Sequence, residues 1–303
     1  MTKRFSASSA AQLMACPGSA NLELAIPGYE EPVKDDMAGA KGVGTTVHEL
    51  LEPGTNWDTS QLFALHTVLH EYSQLQWRER RKIAEFPANL AQWLHFEWPQ
   101  MNPVVYYMIT AWFIKLAPHR LPPAMLKYMV EALIYVRDLR VERGVEESDG
   151  VHGELNMQAK WLKSMPFTTA DVVIDSPEIL DVLDYKTGKI PVEVIDNDQL
   201  MFYGATAYRF LQSKAPIIRL HILQPGSFLV HTVTRAEMFE WMALAQRADQ
   251  RIIDKDLTLR PNDHCTFCPA NPHTRGDKAT VKCPVMMEFL YPPVVDLDEV
   301  FNP

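Results

Sequence analysis

The chain has 303 residues, 47% of them hydrophobic, and a formal charge of -9. That is apolar material enough for a sizeable core, and length enough for one large domain or two ordinary ones. The acidic balance excludes a general electrostatic attraction to DNA or to an anionic membrane, so any nucleic-acid site has to be a local patch or channel.

At the amino terminus, "MTKRFSASSAAQ" lacks the apolar core of a signal peptide, and the longest apolar stretch, Val104–Ile114, is too short to span a bilayer. A cytoplasmic protein with no membrane partner is expected. Ser8 and Ser9 offer hydroxyl caps to a short helix through Met14, which Pro17 and Gly18 stop. After a loop rich in Gly, Pro and charge, "VHELLE" reads as helix with His48 inside it, and "EPG" at 52–54 breaks it. Residues 55–122 hold five of the seven tryptophans and are crowded with proline, at Pro87, Pro99, Pro103, Pro118 and Pro122; they read as a mainly helical, Trp-rich insertion. From Pro123 to Gly144 the apolar spacing is that of a helix, with proline at its start and glycine just past its end.

From "HGELNMQAKWL" to "VLDYKTG" the period becomes that of strands. Then "IDNDQLMFYGATAYRFLQ" is helical, "IIRLHILQP" and "FLVHTVT" are strands, and "RAEMFEWMALAQRADQRIID" is a long amphipathic helix. This order predicts an α/β fold, a mixed central sheet flanked by helices, with the core at 1–54 and 123–303 and the insertion at 55–122.

The stretch "TTADVVIDSPEILDVLDYK" carries the chemistry. As an antiparallel hairpin turning at Pro177 and Glu178, it pairs Ser176 with Ile179, which sets Asp171 opposite Asp184 and Thr169 opposite Lys186. Opposed residues have Cβ atoms roughly 4.5–5.5 Å apart, and residues two apart share a face. Asp171, Asp184 and Lys186 are therefore expected together. Two carboxylates that close repel unless a proton or cation lies between them, and hard oxygen ligands suit Mg²⁺ or Mn²⁺. The lysine suits a different task, holding and deprotonating a water or neutralising charge on a phosphoryl oxygen. An isolated Asp-x-Lys is more often an exposed ion pair of little energetic value; here the motifs around it argue otherwise.

Those motifs, in chain order, are "GTTVHELLE" with His48, "GELN" with Glu154, "TTADVVI" with Asp171, "LDYKTGK" with Asp184 and Lys186, and "NDQLMFY" with Gln199 and Tyr203. The series resembles a RecB-type member of the PD-(D/E)XK nuclease superfamily, close to families found in phages and prophages, over roughly residues 5–53 and 123–290. The resemblance implies a restriction-endonuclease-like core and divalent-metal-dependent cleavage of DNA phosphodiesters. It implies His48, Asp171 and Asp184 as metal ligands and Lys186 as the catalytic lysine. Gln199 and Tyr203, four apart on one helix face, are implied to border the site, and Glu154 to orient a water.

All four cysteines, Cys16, Cys265, Cys268 and Cys283, are too few for a disulfide scaffold and are spaced like metal ligands. Several RecB-type nucleases resemble this layout, one amino-terminal cysteine joining three near the carboxyl terminus around a [4Fe-4S] cluster. The spacer before Cys283 is longer than usual, and Cys₄ zinc, or zinc with His264 or His273 replacing one thiolate, satisfies the same residues. "GAKGVGTT" lacks the lysine of a phosphate loop, since position 45 is Thr, so no nucleotide cofactor is implied. The basic run "WRERRK" at 77–82 and Lys189 are candidate phosphate contacts, or simply solvated side chains.

The expected function is that of a DNA nuclease, an exonuclease on duplex ends in phage-type recombination or replication. A single-strand annealing protein is the partner that setting implies, and a homo-oligomer its expected form. The rival reading is a non-catalytic DNA-binding or scaffold protein that keeps the fold.

Overall fold

The computed structural model describes residues 5–24, 45, 47–52, 55–75, 87–116, 123–145, 150–188, 190–268, 270–271 and 283–286. The glycine-rich 39–44 segment, the basic run at 77–82, Lys189 and His273 lie outside the described residues. A 3-10 turn at Ala7–Ser9 leads into helices α1 (Ala10–Ala15) and α2 (Gly18–Leu24). Helix α3 covers residues 47–52, followed by α4 (Thr59–Gln74), α5 (Pro87–Glu97), α6 (Pro103–Leu116) and α7 (Pro123–Glu142). Strands β1 (Val151–Gln158), β2 (Phe167–Asp175) and β3 (Ile179–Tyr185) follow, then α8 (Asp198–Phe210), β4 (Ile217–Gln224), β5 (Ser227–Thr234) and α9 (Arg235–Ile253). No helix among the described residues is long and apolar enough to cross a membrane.

The five strands form one mixed sheet in sequential order, antiparallel except where β3 runs beside β4. That parallel pair needs a crossover, and α8 supplies it. Pro177 and Glu178 make the two-residue turn of the β2–β3 hairpin with no positive φ at either. The Ser176 side chain closes it, donating to the Ile179 carbonyl at 2.7 Å and accepting the Ile179 N–H at 3.1 Å. The register is the one the sequence predicts, Asp175 with Leu180 through to Val172 with Leu183.

Each face of the sheet buries a separate core. Leu180, Val182, Leu220 and Ile222 pack with Phe202 of α8, Trp241 of α9 and Phe5. Leu183, Tyr185, Val172 and Leu223 pack with Leu51, Leu65, Trp112 and Tyr128 from α3, α4, α6 and α7. The successive residues of β3 thus alternate between the two cores, which leaves the strand's end between α8 and α3.

Local signals fix both helices that matter for the site. The Asn197 side chain accepts the Leu200 N–H at 3.1 Å and caps α8. Gly204 lets α8 lie close on the sheet, since a Cβ there would meet Met238 at 2.9 Å and Leu220 at 3.2 Å. Thr234 and Glu237 form a reciprocal capping box at the start of α9, and Met238, Trp241, Met242, Ala245 and Ile252 bury its inner face at helical spacing.

A candidate metal-binding active site

Three carboxylates form a row across three adjacent strands. Gly153 pairs with Val172 and Leu155 with Ala170, so the register sets Glu154 against Asp171. The last β2–β3 pair, Val172 with Leu183, sets Asp171 against Asp184 one step on. Neighbouring strands lie about 4.8 Å apart, so this is a close approach for three acids. Glu154 has φ 46, a left-handed conformation uncommon for a residue with a side chain, and it breaks the β1–β2 ladder at this point. Such a backbone costs on the order of 1–2 kcal/mol and persists where flanking pairs over-determine it.

β2 and β3 part at the same level. Alternation of antiparallel bonds, counted from the Ser176–Ile179 bond, would send the Tyr185 N–H to the Ala170 carbonyl. It donates instead to Asp171 Oδ2, at 2.6 Å. The Lys186 N–H, whose place in the same alternation is on the β4 side, donates to the Leu223 carbonyl at 2.8 Å and continues the parallel pairing. Thr169, expected opposite Lys186, lies beyond the last β2–β3 pair, Val172 with Leu183, and is paired only on its other side, with Asn156 of β1.

His48 reaches the row from α3. Its Nδ1 lies 3.2 Å from Asp171 Oδ1 and 3.5 Å from Glu154 Oε1. Its Nε2 lies 3.1 Å from the Tyr185 carbonyl, which can only accept, so Nε2 carries the proton. Loss of a proton from Nδ1 would then leave its lone pair facing the carboxylates, the tautomer a metal ligand requires. One ligand atom each from His48, Glu154 and Asp171 lies within 4.8 Å of the others. Asp184 faces a different partner: its Oδ2 is 2.7 Å from Lys186 Nζ. That ion pair lacks hydrogen-bond geometry, and the oxygen is buried with no hydrogen-bond partner among the described residues. Lys186 Nζ donates to Gln199 Oε1 at 3.3 Å, and Gln199 Nε2 to Tyr203 Oη at 2.8 Å. All seven side chains drawn from the sequence motifs thus meet at one place.

The charges are out of balance. Burial and then the Asp171 charge lift the Asp184 carboxyl from 3.8 to about 7, against the opposing pull of Lys186. For His48, burial works to lower the pKa, but hydrogen bonds to Asp171 and Glu154 outweigh it and raise it from 6.5 to about 10. Asp181, three residues earlier on β3 and fully buried, makes the contrast. There too burial opposes ionisation, but His221 at 2.9 Å and Arg143 at 2.7 Å hold the carboxyl below its usual range. Asp181 is a neutralised structural charge. The Glu154–Asp171–Asp184 row is not, and a hard cation fits its donor set of carboxylate oxygens and one imidazole nitrogen.

The four cysteines, all free, gather elsewhere. Cys16 ends α1, Cys265 and Cys268 sit in and after a 3-10 turn at Asp263–Phe267, and all three line one cavity with Cys283, His264 and Asn271. The Arg260 N–H points at Cys16 Sγ and the Asn262 N–H at Cys265 Sγ, both at 3.4 Å. No three of the four sulfurs and the His264 nitrogens come within 4.8 Å of one another.

The raised His48 pKa has a consequence for stability. Between 6.5 and about 10 the folded protein holds a proton that the unfolded chain has released, so its stability falls as pH rises through that window. Thermal unfolding in EDTA should show Tm declining from pH 7 to 9.5, with the slope flattened in His48→Ala. An equal slope in both proteins would mean that His48 is not held as an imidazolium.

The sequence matches no curated protein. Among solved structures it resembles SSO0001, with 14% identity and a TM-score of 0.30 over 68% of this chain and 91% of that one. It also resembles a "putative exonuclease" from Eubacterium rectale, with 16% identity and a TM-score of 0.34 over 69% of this chain and 80% of that one. Likenesses this distant carry no functional argument. The model of a protein family of unknown function, DUF2800, matches residues 3–302, and the chain belongs to that family.

Proposed function

We propose that this chain is a divalent-metal-dependent DNA nuclease, acting as an exonuclease on duplex ends. The observation that carries the proposal is the row of Glu154, Asp171 and Asp184 across three strands, with His48 Nδ1 turned towards it and Lys186 at its end. In this reading His48, Asp171 and Asp184 hold Mg²⁺ or Mn²⁺. Glu154 joins them as a ligand, because it shares ligand distance with His48 and Asp171.

The bound cation supplies Lewis-acid neutralisation of charge on the phosphate being cleaved. Lys186 takes up the attacking water and steadies its developing negative charge. Its ammonium is positioned for this by Asp184 on one side and Gln199 on the other. Tyr203 fixes the Gln199 amide with its oxygen towards the lysine. Preference for DNA ends rests on the motif resemblance, and the same resemblance suggests phage-type recombination or replication.

Linear duplex DNA with Mn²⁺ is expected to be degraded by the protein and closed circular DNA spared. Lys186→Ala should lose at least about a hundredfold in rate, the scale of one removed charge-stabilising donor. Equal degradation by parent and variant would reject the assignment of Lys186 and its site, and none by either would favour the non-catalytic DNA-binding reading.

At the cysteines we propose a [4Fe-4S] cluster joining the two ends of the chain in preference to zinc. What supports it is the layout, one amino-terminal cysteine gathered on one cavity with three near the carboxyl terminus, which resembles that of cluster-bearing RecB-type nucleases. The two backbone N–H groups on Cys16 and Cys265 are of the kind that tune cluster thiolates. Anaerobically purified protein should absorb in the visible blue and lose that band in Cys265→Ser. A colourless protein with stoichiometric zinc would contradict the proposal.

A further inference from the structure

Lys186 opens a loop that runs to α8, and the described part of this loop is held by the last two residues of β4. The Leu223 carbonyl accepts two bonds, the Lys186 N–H at 2.8 Å and the Tyr128 hydroxyl of α7 at 2.6 Å. The Gln224 side chain, itself only 7% exposed, makes three more. Its Nε2 donates to the Gly188 carbonyl at 2.6 Å and to the Ile190 carbonyl at 2.8 Å, and its Oε1 accepts the Val192 N–H at 3.2 Å. A buried primary amide carries two donors and an acceptor, and here each is used on the backbone of one loop. The turn after it, Pro225–Gly226 with φ 83 at Gly226, sends the chain straight into β5 and keeps Gln224 at the sheet's end, paired with Ser227.

We infer that Gln224, backed by Tyr128, is a positioning residue for Lys186, fixing the ammonium beside Asp184 through the loop backbone it holds at Gly188, Ile190 and Val192. The inference rests on the nuclease reading of the site. A lysine side chain has four rotatable bonds and loses their rotamer entropy when held. Its contacts with Asp184 and Gln199 fix the tip, but only if the loop fixes the stem. Gln224 and Leu223 do so from β4, the strand hydrogen-bonded to β3 along its whole length, so the lysine's backbone is tied to the strand that presents Asp184. Tyr128 extends the brace to α7. Its hydroxyl is pushed up in pKa by burial and then by the charges of Asp171 and Asp184. Ile190 is 82% exposed, whereas Val194, 5% exposed, and Val192 pack into the core, so burial anchors the far end of the loop and the Gln224 bonds to Gly188 and Ile190 hold its near end.

Gln224→Glu is the discriminating variant, since it keeps size and shape, still accepts the Val192 N–H, and loses both donors to Gly188 and Ile190. Two measurements are made on the full chain. Hydrogen–deuterium exchange should quicken at least tenfold across 186–192 in Gln224→Glu, and the rate of linear-DNA cleavage should fall at least tenfold with the half-saturating Mn²⁺ concentration unchanged within twofold. Tyr128→Phe, which removes one hydroxyl from the same carbonyl, should fall in the same direction by a smaller factor. Wild-type exchange and wild-type cleavage in Gln224→Glu would overturn the inference, as would a loss that appears only as weaker Mn²⁺ dependence. If the parent protein cleaves nothing while exchange still quickens, the nuclease reading fails and the brace stands.

Discussion

Carboxylates repel, and this fold sets three of them in a line across adjacent strands. At about 4.8 Å between strands the repulsion is too strong to leave all three ionised without a positive charge among them. The protein answers in part with its own groups. His48 is driven towards its protonated form, Asp184 is driven towards its neutral form, and Lys186 leans on the Asp184 oxygen. A divalent cation held there would reverse each of those adjustments, taking the place of the His48 proton and favouring the ionised Asp184 carboxylate. Asp181 has fixed partners in Arg143 and His221 and needs no such ion.

Keeping the row in place takes support from both cores. The Tyr185 main chain is the hinge of the arrangement, its N–H on Asp171 and its carbonyl on His48. On one side α8 presents Gln199 and Tyr203, drawn in by Gly204 and by the packing of Phe202. On the other, the Trp112 indole donates to the Leu50 carbonyl two residues beyond His48, at 2.8 Å. The tryptophan-rich stretch is thus built into the wall behind the histidine helix. Its side chains share one buried cluster with Val172, Leu183 and Tyr185 of the sheet.

Much of this was legible in the sequence where local rules decide. A two-residue turn at Pro177–Glu178 fixes the register of β2 and β3, and the register alone brings Asp171 to Asp184. The four-residue spacing of Gln199 and Tyr203 puts both on one helix face. The relation of Glu154 to Asp171 was not legible, because the connection from Gln158 to Phe167 has no length that periodicity dictates. Nor does a glutamate signal a left-handed backbone; glycine would have. In the stretch 55–122 proline reads as interruption, yet Pro87 and Pro103 each begin a helix, where the missing N–H costs nothing. The convergence of Cys16 on the distant cysteine pair follows from tertiary packing, and pattern alone could only suggest it.

The central claim is that the Glu154–Asp171–Asp184 row and His48 bind one divalent cation, and calorimetric titration of Mn²⁺ into the metal-free protein at pH 7.5 tests it most directly. With His48 raised to about 10, binding should release close to one proton, seen as a dependence of the heat on buffer ionisation enthalpy. Asp171→Asn, which keeps the acceptor for the Tyr185 N–H but removes the charge, should abolish both the binding and the proton release. Mn²⁺ binding of unchanged strength and proton count in that variant would place the ion elsewhere and contradict the account.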